Sequence, residues 1–216
     1  MTVDREYCMS SFLTYRIIAD MERCFAPGVE PRRFPFPEKR LPVRDSQTLL
    51  AELERATREA CKDGKAALAL SGGIDSAILA RFMPKGSTAY TFRCVVPGMQ
   101  VTDESPAAAR FAAECGLKHE IIDIYWEDFE SLTPKLMKHK GMPVHSIEVQ
   151  ICKAAMRARA DGFERLIFGE TADVIYGGLD GLLSKDWLAG DFIERYTYVK
   201  PWKALVNPCL ALDGYK

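Results

Sequence analysis

The chain has 216 residues, 48% hydrophobic and 27% charged, with Lys+Arg 29 against Asp+Glu 30 and a formal net charge of −1. That balance excludes a general electrostatic field for nucleic acid or an anionic membrane, and the proportions are those of a soluble globular protein. No apolar run approaches the ~20 residues of a membrane helix, and the N-terminus, MTVDREYCMSSF, lacks the apolar core of a secretory signal. The seven cysteines (Cys8, Cys24, Cys61, Cys94, Cys115, Cys152 and Cys209) include no CxxC pair. They predict buried free thiols in a reducing cytoplasm, with no zinc site and no disulfide framework.

Residues 1–44 differ in texture from the rest. Phe12–Ile18 is β-branched and aromatic, which predicts a strand. Pro27–Val43 holds five prolines and cannot be helical throughout, so residues 1–44 are expected to form an extended, Pro-rich N-terminal arm. Ser46 is placed to cap a helix whose face is Leu49, Leu50, Leu53, Ala56, Thr57 and Ala60, ended by Asp63-Gly64. A buried strand over Ala66–Leu70 follows, then a short helix over Ala77–Phe82 stopped by Pro84 and Gly86. Strands are expected at Thr88–Val96, His119–Ile124 and Leu166–Phe168. Helices are expected at Thr102–Cys115, at Trp126–His139 with a kink or break at Pro134, at His145–Ala160 and at Trp187–Tyr196. Alternating strands and helices predict an α/β fold, a parallel sheet with helices on both faces.

Two loops carry the chemistry. The strand at Ala66–Leu70 runs into Ser71-Gly72-Gly73-Ile74-Asp75-Ser76. Adjacent glycines let backbone N–H groups turn toward an anion, two serines add hydroxyls, and the following helix N-terminus favours negative charge. This is a phosphate cradle by composition. No Gly-Lys-Ser/Thr and no GxGxxG follows, so it is not the common mononucleotide or dinucleotide type. The second loop, Gly169–Gly178 (GETADVIYGG), also follows a strand. Both loops should therefore open on one edge of the sheet, where such folds bind ligands. Asp75, Glu170 and Asp173 would converge beside the cradle, a donor set suited to Mg²⁺ and phosphate oxygens.

SGGIDS followed by GExxDxxxGG resembles the synthetase domain of the asparagine synthetases, in the PP-loop (N-type) ATP pyrophosphatase superfamily. Asp103-Glu104 and His119 fall where that family usually has an acidic pair and a histidine. The resemblance implies a three-layer sandwich of the adenine nucleotide alpha hydrolase-like, PP-loop kind over residues 45–216. It implies adenylation of a small-molecule carboxylate by MgATP, release of pyrophosphate, and amide formation with ammonia or an amine. By position, Leu70, Ser71, Gly72, Gly73, Asp75, Ser76 and Gly169 would hold ATP, and Asp75 and Asp173 would carry Mg²⁺. Glu170 would act as acid, base or orienting group, and Lys203, with Lys200 near it, is the candidate for the lysine that meets the adenylate or the developing oxyanion.

The sequence departs from the family at Val174, where a second acid is usual, at Leu179, where Tyr is usual, and at Thr171, where Gly is common. Only about 65 residues precede the first loop, too few for the family's glutaminase domain. Nitrogen would then come from free ammonia, from a separate glutaminase subunit or from the substrate. Two further readings remain open: a PP-loop enzyme that modifies RNA or a small molecule, and a nucleotide-binding subunit that depends on a partner for catalysis. A cytoplasmic protein without membrane or nucleic-acid partners is expected, and association of identical chains stays open.

Overall fold

The computed structural model describes residues 1–32, 42–170, 172, 180–183, 185–197 and 199–209. The chain divides into two compact units, one of Met1–Phe36, Glu130–Glu148 and Asp180–Lys216, the other of Pro37–Phe129 and Val149–Leu179.

In the first unit, β1 (Thr2–Val3) pairs in parallel with β2 (Arg23–Cys24) around helix α1 (Arg5–Tyr15). The strand expected at Phe12–Ile18 is instead the end of α1 and the turn after it. The Asp4 carboxylate accepts the Tyr7 N–H at 3.0 Å and starts the helix. Arg16 ends it in the left-handed region at φ 64, its N–H donating to the Phe12 carbonyl. Tyr7, Cys8 and Phe12 are thereby buried together with Ile18 and Met142. Burial and a side-chain cap outweigh the local β preference of the residues. Positions 33–41 of the Pro-rich stretch lie outside the described residues.

The second unit begins with α2 (Ser46–Cys61). Its cap is Asp45, one residue before the expected Ser46, because the Asp45 carboxylate accepts the Thr48 N–H at 2.7 Å. Then come β3 (Ala66–Ala69), α3 (Ile74–Phe82), β4 (Thr88–Cys94), α4 (Ser105–Cys115) and β5 (Lys118–Ile124). The helix α5 (Trp126–Lys140), which belongs to the first unit from Glu130 on, runs through Pro134 without a break, and α6 (Ser146–Ala160), in the second unit from Val149, leads to β6 (Arg165–Ile167). The start of α4 at Ser105 is later than the expected Thr102, because the Asp103 side chain accepts the Ser105 N–H at 2.9 Å and holds the preceding residues in a turn.

The four strands β3 to β6 are all parallel in the order β5-β4-β3-β6. Alternation along β3 sends Ala66, Leu68 and Leu70 to one face, against Leu79, Ala80, Met83, Ala108 and Ala112 of α3, α4 and the turn between them. Ala67 faces the other way with Tyr90, Ile122 and Ile124, against Ala154 and Ala158 of α6. Small residues at these positions let helices lie close on both faces, which makes the three layers. The C-terminal part of the first unit carries α7 (Asp180–Leu183), α8 (Ala189–Tyr196) and α9 (Pro201–Ala204). Among the described residues no helix is long and apolar enough to cross a membrane.

All seven cysteines are free, but only Cys8, Cys24 and Cys61 are buried; Cys94, Cys115 and Cys152 are half-buried and Cys209 is exposed. Burial, with the Asp4 carboxylate nearby, pushes the Cys8 thiol up to about 11. It stays a protonated core residue at neutral pH and is no nucleophile.

Candidate functional site

The first loop is anchored from below. Leu70 N–H donates to the Tyr90 carbonyl at 2.8 Å, extending the β3–β4 pairing by one residue. The Leu70 carbonyl accepts the Thr91 hydroxyl at 2.6 Å, and Thr91 Oγ1 lies 2.8 Å from His119 Nε2. Thr91 has one hydroxyl hydrogen, and a carbonyl only accepts. Thr91 therefore donates to Leu70 and accepts from His119 Nε2–H, leaving Nδ1 as the atom that takes a further proton. His119 thus supports the loop through Thr91. The sequence reading missed Thr91; its signal was a hydroxyl placed in the interior of a buried strand.

This relay has a pH signature. Burial lowers the His119 pKa from its ordinary 6.5. As pH falls, the unfolded chain takes up the proton first. The contribution of this group to stability is therefore intact above 6.5 and is lost as pH falls through the lower folded-state value. Urea unfolding at neutral pH and at about pH 5 should show a loss of stability that His119→Gln reduces. An identical pH slope in the variant would rule out the linkage.

The loop is also braced from within. Ser71 N–H donates to Ser76 Oγ at 3.0 Å, the two hydroxyls lie 2.8 Å apart, and Gly73 N–H donates to Ser71 Oγ at 3.2 Å. Ser76 is buried and its hydroxyl is committed to this brace. The α3 helix has Gly73 at its N-cap and no side-chain cap; its first backbone bond runs from Ala77 N–H to Gly73 O at 3.3 Å. Neither Asp75 nor either serine caps it. Among the described residues the amides of Ile74, Asp75 and Ser76 have no acceptor, which is the arrangement that receives an anion.

The second loop meets the first at Gly169. The register Leu68↔Ile167 carries β6 beside β3, so Gly169, two residues past Ile167, falls level with Leu70, two past Leu68. A Cβ built on Gly169 would stand 2.8 Å from Ser76 N and 2.9 Å from the Asp75 carbonyl carbon. Only glycine fits between β6 and the first turn of α3. Glu170, next in the chain, is exposed.

Asp75 is exposed in the first turn of α3. It supplies a hard oxygen donor beside the free amides, which suits Mg²⁺ shared with phosphate oxygens. Its expected companion Asp173 lies outside the described residues, as do Thr171, Val174 and Leu179. Among the described residues no three of His, Cys, Asp or Glu gather into a metal-binding group. Asp103 caps Ser105 and lies 3.8 Å from Arg93, and the Ser105 hydrogen bonds, with Arg93 beyond them, hold its carboxyl below the usual range. Glu104 reaches the loop itself: its Oε2 accepts the Gly72 N–H at 3.0 Å. Lys203 is exposed on α9 of the first unit, where Lys200 pairs with Glu194.

The family model for asparagine synthase matches residues 48–210. No curated protein matches the sequence. Among solved structures, the NH3-dependent NAD synthetase from Campylobacter jejuni subsp. jejuni, in complex with the nitrate ion, is 18% identical, with 74% of this chain and 82% of that chain covered and a TM-score of 0.35. That likeness is too slight to bear on the site. The family match spans both loops, and Gly169, where the second begins, lies against Asp75 and Ser76 of the first. The chain belongs to the asparagine synthase family, ATP-using ligases of the PP-loop kind.

Proposed function

We propose that this chain adenylates a small-molecule carboxylate with MgATP and passes the acyl group to ammonia or an amine. The observation that carries the reading is the uncapped N-terminus of α3, with three free amides behind a serine-braced Gly-Gly turn and Gly169 packed against it. A cradle of that kind suits the dense charge of a pyrophosphate. Ser71, Gly72, Gly73, Asp75 and Ser76, between Leu70 and Gly169, would hold it; Ser76 would contribute its amide, since its hydroxyl is already bonded to Ser71.

A carboxylate oxygen attacks the α-phosphorus, and the bond to the β-phosphate oxygen breaks as pyrophosphate leaves. The amine lone pair then attacks the acyl carbon, AMP departs with its bonding electrons, and the nitrogen loses a proton to a base. Glu170 is assigned to receive that proton or to orient the amine. Lys203 is assigned to the developing oxyanion from its place in the sequence after the second loop. Mg²⁺, held by Asp75 and Asp173, would supply charge neutralisation at the phosphates.

The test is exchange of labelled pyrophosphate into ATP across a panel of carboxylates, with and without ammonia. Exchange that needs a carboxylate, with AMP as the nucleotide product, is expected. Production of ADP and phosphate instead would overturn the reading.

A further inference from the structure

One loop amide is held from outside the loop. Gly72 N–H donates to Glu104 Oε2 at 3.0 Å, across 32 residues of sequence. Glu104 stands at the N-cap position of α4, yet its side chain makes no bond to its own helix. Asp103 does that work by accepting the Ser105 N–H, so the Glu104 carboxylate is available to turn outward to the loop. It is exposed, and among the described residues the Gly72 N–H is the one group its carboxylate bonds. A negative charge therefore sits on a donor of the turn that the proposed function assigns to pyrophosphate.

We propose that Glu104 is a built-in occupant of this anion cradle, holding the Gly72 N–H until the pyrophosphate group of the nucleotide displaces it. The inference rests on the reading of the loop as a pyrophosphate site. The carboxylate satisfies the amide and fixes the direction of the Gly-Gly turn before ligand arrives. It also repels the incoming phosphates, so binding includes its release. The backbone cannot retreat to achieve that. A Cβ on Gly72 would already meet Ala107 Cβ and Glu104 Cβ at 3.2 Å, and Asp103 is held by Ser105 and lies beside Arg93. The carboxylate leaves by rotation of its own side chain. Pyrophosphate, with its higher charge, displaces it; as product departs, the carboxylate returns and competes against rebinding.

The experiment is calorimetric titration of the full chain with inorganic pyrophosphate, with and without Mg²⁺, on wild type, Glu104→Ala and Glu104→Gln. Thermal unfolding alongside confirms that each variant is folded. Alanine removes both the occupant and its charge, and is expected to tighten pyrophosphate binding about ten-fold. Glutamine keeps an acceptor for Gly72 but no charge, and should fall between. Binding by the alanine variant that is equal to or weaker than wild type, including weakening seen only with Mg²⁺, overturns the proposal while leaving the loop as a pyrophosphate site. Failure of wild type and both variants alike to bind pyrophosphate removes the site reading and this inference together.

Discussion

Gly169→Ala is expected to collapse nucleotide binding and to lower stability at once. The added Cβ would stand 2.8 Å from Ser76 N and 2.9 Å from the Asp75 carbonyl carbon, both backbone atoms. A flexible side chain could move aside; the first turn of a helix cannot do so without tilting. The backbone at Gly169 is not in the left-handed region, so space alone imposes the glycine. Overpacking of this kind costs about 1–3 kcal/mol, and each kcal/mol lowers Tm by roughly 2–4 °C in a chain of this size. The shift falls on the three free amides of α3, so pyrophosphate binding should weaken on the order of 100-fold, in line with the cost of small misplacements at a site. Gly190→Ala is the control, since nothing lies within 4 Å of a Cβ there. Differential scanning calorimetry and pyrophosphate titration decide the matter. Unchanged Tm and binding in Gly169→Ala would mean that the second loop does not press on the first as described.

Asp75→Asn separates chemistry from folding. The side chain is exposed and has no hydrogen bond or ion pair among the described residues, so the isosteric change should leave stability within about 0.5 kcal/mol. What it removes is the negative oxygen donor next to the cradle. Mg²⁺-dependent exchange of pyrophosphate into ATP is expected to fall on the order of 100-fold or more, because charge neutralisation by the metal supplies several kcal/mol to such a step. Exchange that survives in Asp75→Asn with its Mg²⁺ dependence intact would take the metal away from Asp75.

Much of this was readable from short stretches. Gly-Gly after an apolar run marks a strand that ends in a turn; Gly116, at positive φ, caps the end of α4, and Gly64 and Gly86, also at positive φ, lie in the turns that follow α2 and α3. Those are local effects: a backbone conformation that glycine alone adopts easily, or a run of apolar residues long enough for one buried strand. The helix at Arg5–Tyr15 was not readable, because residues with strand preferences were recruited by burial of Tyr7, Cys8 and Phe12. The inward turn of Ser76 was hidden too. A serine in a phosphate-type loop reads as a ligand donor, and only the folded turn shows its hydroxyl bonded to Ser71.

The sequence by itself determined the alternation of strands and helices, the parallel sheet, the anion-type turn at Ser71–Ser76 and the family. Tertiary structure alone decided the strand order β5-β4-β3-β6, the His119–Thr91–Leu70 support, the seat of Gly169 on α3 and the carboxylate of Glu104 on Gly72. The division has one physical cause. Turn and strand preferences act through neighbouring dihedrals and are written in adjacent residues. Hydrogen bonds and close approaches between residues far apart in the chain exist only once the sheet has brought its carboxyl ends together.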